Sequence, residues 1–125
     1  MRILLDTHIY LWAVIDDEKL TDKARQIITK ADEVFVSSAS IWEISIKQAL
    51  GKIEADIQLL ASTIKEIGFT ELPINSNHAV ALNNLPAIHR DPFDRILIAQ
   101  AIYEPMHFLT ADETLKEYSE LIIKI

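Results

Sequence analysis

The chain predicts an α/β fold, a parallel sheet covered by helices on both faces. Three observations carry this. The candidate strands are short and wholly apolar, as in Ile3-Leu4-Leu5 and Val34-Phe35-Val36. Strands buried on both faces lose the in–out alternation of a half-solvated sheet. Segments with helical capping signals separate successive strands, as parallel crossovers require. Single acidic residues also interrupt apolar sequence at the ends of these elements, where ligands bind in open parallel sheets.

Taken in order, Arg2-Ile3-Leu4-Leu5 is a first buried strand, and residues 8–14 form a short apolar helix or turn. Asp16 to Lys19 is a solvated connection. Thr21 is an N-cap residue for a helix over about 22–31. Val34-Phe35-Val36 is the second strand. Ser37 and Ser38 can cap a helix over about 39–50, and Gly51 can end it. Another helix covers about 56–67 and stops at Gly68; Phe69 to Leu72 is a third strand, stopped by Pro73. Asn75 or Ser76 can cap a helix over about 77–84, and Leu85 to Arg90 is a loop. Asp91 caps the next helix, with Pro92 in the first turn, where its missing N–H costs nothing. That helix runs to about Tyr103, and Pro105 marks its exit. His107 to Thr110 is a fourth strand, Asp112 to Tyr118 a short helix, and Leu121 to Lys124 a last strand. With no repeat or linker, residues 1–125 read as one domain.

Half the 125 residues are apolar, enough for a sizeable core. No apolar run approaches the roughly 18 residues of a membrane span, and three apolar residues before Asp6 do not make a signal peptide. Cysteine is absent, which removes disulfides and thiolate metal sites. These features lead us to expect a soluble cytoplasmic protein without a membrane partner. The net charge of −7 argues against coating nucleic acid by charge alone, but not against handling it through bound metal.

Asp6, Glu43, Asp94 and Asp112 are the four acids set in apolar sequence. Burying one unpaired carboxylate is costly, and burying four calls for a cation among them. Two carboxylates about 5 Å apart repel by roughly 3 kcal/mol at an effective dielectric of 20. A helix N-terminus returns only about 0.3–1 kcal/mol. Hard divalent ions prefer such oxygen ligands, and the set suits one-metal or two-metal phosphodiester hydrolysis. Helix phase puts Asp94 on a face with Leu97, Ile98 and Ala101, and Glu43 on a face with Ile46 and Leu50. Both faces are expected to turn inward.

Each acid alone also has a plainer reading. Asp6 and Asp112 can cap the helices they precede; Glu43 with Lys47 fits a surface i, i+4 pair. Asp94 can pair with Arg90 or Arg95. Asp91 reads as a cap one turn from Asp94, and Thr110 as a strand-end hydroxyl within reach of a ligand or water. His8 and His89 lie near the expected site, more simply as hydrogen-bonding histidines than as catalytic ones. Trp12 and Trp42 read as core or interface anchors.

Together these segments resemble a known family. Leu4 to Trp12, Ser37 to Leu50 with Trp42-Glu43-Ile44, His89 to Ala101 and Leu109 to Asp112 are similar to the PIN domain, most of all to VapC-like toxins of type II toxin–antitoxin pairs. The resemblance covers nearly the whole chain. It implies a three-layer α/β/α fold and a Mg²⁺- or Mn²⁺-dependent endoribonuclease. It implies that Asp6, Glu43, Asp94 and Asp112 are the catalytic and metal-binding acids, and that Thr110 carries the hydroxyl of the family's Thr/Ser-x-Asp pattern; Asp91 joins Thr110 as an auxiliary residue on its place one turn from Asp94. It further implies an RNA substrate, a homodimer and a cognate antitoxin. Two competing classes remain: a receiver-like module controlled by phosphorylation, and a catalytically silent interaction protein. The receiver class needs a lysine after a late strand, where this chain has Ala111-Asp112.

Overall fold

The computed structural model describes residues 1–125. Strands β1 (Arg2–Leu5), β2 (Glu33–Ser37), β3 (Thr70–Leu72), β4 (His107–Thr110) and β5 (Ile122–Lys124) alternate with six helices. These are α1 (Thr7–Ile15), α2 (Asp22–Lys30), α3 (Ser38–Ala49), α4 (Ile57–Glu66), α5 (Ser76–Leu82) and α6 (Pro92–Tyr103). The five strands form one sheet in the order β3-β2-β1-β4-β5, with every pairing parallel.

The caps act where the sequence places them. Thr21 accepts from Ala24 N–H to start α2, and Ser37 accepts from Ala39 N–H to start α3. Asp91 accepts from Phe93 and Asp94 N–H to start α6. Asn75 and His78 satisfy each other's backbone N–H in a capping box at α5. His78 Nδ1 accepts there, so its proton sits on Nε2, 2.5 Å from Glu104 Oε2, tethering α5 to the end of α6. Gly51 and Gly68 adopt positive φ of 72° and 86°, a backbone state open to glycine at little cost, just past the ends of α3 and α4. One element differs in kind: residues Glu113–Tyr118 wind as a 3-10 turn rather than an α-helix.

Strand pleating divides the core into two layers. Ile3, Leu5, Val34, Val36 and Leu109 face one side, where Ile9, Tyr10, Ala24, Leu60 and Ile64 of α1, α2 and α4 cover them. Leu4, Phe35, Phe108 and Ile122 face the other, against Leu97, Ile98 and Ala101 of α6 and Leu115 and Tyr118 of the 3-10 turn. Each buried Val, Leu, Ile or Phe among them gains about 1.5–3 kcal/mol on leaving water. The result is a three-layer α/β/α sandwich. No helix is long and apolar enough to cross a membrane.

Two expectations about faces are corrected. Ile46 and Leu50 do not turn inward with Glu43; they are 38% and 64% exposed. The buried face of α3 is instead Ala39, Ser40, Glu43 and Ile44. Of the core and interface readings of Trp42, the core one fails. The residue is 57% exposed and meets Phe93 edge to face at 5.0 Å.

Candidate active site

The sheet reverses direction of growth between β1 and β4. From β1 the chain builds outward through β2 and β3, then returns to add β4 and β5 on the other side. Crevices at such a switch point, beyond the strands' carboxyl ends, are where open parallel sheets bind ligands. Register aligns the edge. Leu5 pairs with Val36 on one side and Leu109 on the other, so Asp6, Ser37 and Thr110 emerge side by side. Asp6 N–H donates to Leu109 O at 2.9 Å and fixes this arrangement.

A cleft of about 460 Å³ opens there. Its walls carry Asp6, Glu43, Asp94 and Asp112, together with Asp91, Glu113, His8, Trp12, Lys47 and Ala111. The four acids expected to meet therefore do meet, one each from the end of β1, α3, the first turn of α6, and the segment after β4. Glu113 was not singled out by sequence, and only its place beside Asp112 hinted at a role.

Asp6 is buried, with both oxygens engaged. Oδ1 accepts from Thr7 N–H at 2.7 Å, and Oδ2 accepts from the Thr110 hydroxyl at 2.6 Å. Burial pushes its pKa up; the Thr110 and Thr7 hydrogen bonds and the nearby His8 oppose that rise, and Glu43 adds to it. Asp6 is thus both the N-cap of α1 and a wall of the cleft. Besides donating to Asp6, the Thr110 hydroxyl oxygen accepts from Asp112 N–H at 3.0 Å.

Glu43 is buried as well, so its contact with Lys47 is not the surface pair the spacing suggests. Oε2 accepts from Lys47 Nζ at 2.8 Å, and Oε1 accepts from the Thr7 hydroxyl at 2.7 Å. A carboxylate only accepts, so Thr7 spends its proton on Glu43, and Ser40, 2.9 Å away, donates to Thr7. The link from Thr7 to Glu43 joins positions 36 residues apart, and no local pattern announces it.

Asp94 carries the largest electrostatic burden. Burial, then the charges of Asp6, Asp91, Glu43 and Asp112, push its pKa up to about 7. It makes no ion pair with Arg90 or Arg95. Arg95 turns away, donating to Pro86 O at 2.9 Å and the Tyr118 hydroxyl at 3.3 Å. His89 Nδ1 lies 3.7 Å from Asp94 Oδ2 and accepts from Asp91 N–H at 3.1 Å. Asp112 is held below the usual carboxylate range, chiefly by the Thr114 hydroxyl, and it caps the 3-10 turn. Ligand atoms of His89, Asp94 and Asp112 all lie within 4.8 Å of one another.

A parallel α/β sheet that gathers carboxylates from four separate segments at its switch point defines a class of acidic-cleft proteins. The chain belongs to the PIN-domain family, whose model matches residues 3–121. It is 31% identical over 123 residues to ribonuclease VapC22 of Mycobacterium tuberculosis, covering 93% of this chain and 91% of that protein. Its fold is similar to a chain in the crystal structure of VapBC2 from Rickettsia felis bound to a promoter DNA fragment. That match has a TM-score of 0.70 and 14% identity, and it covers 100% of this chain and 98% of the other.

Proposed function

We propose that this protein is an endoribonuclease that hydrolyses RNA phosphodiester bonds as the toxin of a type II toxin–antitoxin pair. The observation that carries the reading is the meeting of Asp6, Glu43, Asp94 and Asp112 in one cleft. The similarity to a protein named as a VapC ribonuclease supports the same substrate class. No observation favours the receiver-like or silent readings over it.

The donor set suits Mg²⁺ or Mn²⁺. It is rich in carboxylate oxygen and holds no thiolate, and Asp94 keeps its proton up to about pH 7 when no cation offsets its neighbours. Asp6, Asp94 and Asp112 would hold the ion, with Glu43 beside them. Bound there, a divalent ion supplies charge neutralisation at the phosphate and a water of lowered pKa.

The chain's own residues supply orientation. Thr110 and Thr7 N–H fix both oxygens of Asp6. Thr7 and Lys47 fix Glu43. Asp91, as the cap of α6, holds the backbone from which Asp94 projects. A cognate antitoxin, a second copy of the chain and action in the cytoplasm belong to the same proposal.

Asp6→Asn tests it. With Mn²⁺ and RNA, the wild type should cleave and the variant should lose all detectable cleavage while keeping its circular dichroism spectrum. Asp22→Asn, an exposed change in α2, should cleave as the wild type does. Equal cleavage by Asp6→Asn at matched purity would overturn the assignment.

A further inference from the structure

We propose that the Lys47 ammonium is a built-in cation of the cleft, seated beside Glu43, and that it limits the site to one divalent ion. This rests on the metal-centre reading above and deepens it.

The two halves of the cleft are compensated differently. On the α3 side, Glu43 already has a cation beside it: Lys47 Nζ meets Oε2 at 2.8 Å, while the Thr7 hydroxyl meets Oε1 at 2.7 Å. Lys47 is the only lysine or arginine lining the cleft. Its charge sits in the field of Asp91 and Asp94 as well as Glu43. The pair is anchored at a buried end, with the Glu43 side chain 6% exposed. Burial of the Glu43 end reduces the screening that makes exposed i, i+4 pairs weak, although Lys47 stays part-exposed. A second divalent ion on Glu43 would sit against the like charge of Lys47.

The other half has no such cation. Asp94 and Asp112 approach within ligand range of each other and of His89, and Asp6 adds its charge to theirs. The Asp6–Asp94–Asp112 half is thus where one divalent ion relieves the most repulsion, and the Glu43 half is already served.

Titration of the full chain with Mn²⁺, followed by calorimetry and by the electron spin resonance of free Mn²⁺, tests this without any activity readout. The wild type should bind one Mn²⁺ per chain. Lys47→Gln should bind two, the second more weakly, and Lys47→Met, which keeps most of the aliphatic stem, should do the same. Lys47→Arg should return to one, and Lys47→Gln combined with Glu43→Gln should also bind one. Two ions on the wild type, or one ion at unchanged affinity on both neutral variants, overturns the role of Lys47 and leaves the metal centre standing. No Mn²⁺ on any of these proteins at millimolar concentration overturns both.

Discussion

Thr110 donates its hydroxyl proton to Asp6, with 2.6 Å between Oγ1 and Oδ2, although the two residues are 104 positions apart. The bond joins β4 to the end of β1 at the floor of the cleft. It also opposes the upward push that burial gives the Asp6 pKa.

Thr110→Val should therefore weaken Mn²⁺ binding by about 10-fold or more, the usual effect of losing a group that orients a ligand. It should also destabilise the protein by about 1–3 kcal/mol, because Asp6 and the Asp112 N–H each lose a partner. Thr110→Ser keeps the hydroxyl and should restore metal affinity. Calorimetric Mn²⁺ titration of the three proteins decides; equal affinities would remove Thr110 from the site.

Asp94 sets a pH dependence for the metal-free protein. Its folded pKa is about 7, against 3.8 for an unperturbed aspartate, so between those values the folded state holds a proton that the unfolded state releases. Its contribution to stability is full below about pH 4 and is lost as pH rises toward and through 7. In chelator, wild type and Asp94→Asn should converge at low pH, and the wild type should fall relative to the variant as pH rises to 8. Parallel melting curves across that range would contradict the assigned electrostatics.

Divalent metal should reverse the loss. At pH 8, millimolar Mg²⁺ or Mn²⁺ should raise the melting temperature of the wild type, because the ion binds the folded state. The rise should shrink in Asp94→Asn and in Asp112→Asn. An unchanged melting temperature would count against the metal centre.

Tyr118 anchors the loop that leads into α6. Its hydroxyl accepts from His89 N–H at 2.7 Å and from Arg95 at 3.3 Å. Tyr118→Phe should cost about 1 kcal/mol and speed hydrogen exchange at the His89 amide. Unaltered exchange there would show the loop is held by other contacts.

Most of the fold was legible because strong local signals agreed. The apolar triplets of β1 and β2, Pro92 behind Asp91, and the two glycines after α3 and α4 each mark a boundary with its own chemistry. Asp94 was read correctly because Leu97, Ile98 and Ala101 share its face and are buried. The same phase argument turned Glu43 inward correctly but gave it the wrong companions. There α3 uses a buried polar face of Ser40 and Glu43, while its apolar Ile46 and Leu50 lie on the outside. Hydrophobic periodicity cannot distinguish a helix that packs its polar residues into a site from one that packs apolar residues into the core. The links from Thr7 to Glu43 and from Thr110 to Asp6 had no signal at all, since each depends on strand register.

The central place of β1 has a consequence for synthesis. Asp6 is made before β4, so its strand has a partner on only one side until β4 arrives, and Asp112 follows β4. Every shorter nascent chain lacks one wall of the cleft. The four-acid cleft is therefore complete only once the late segment docks.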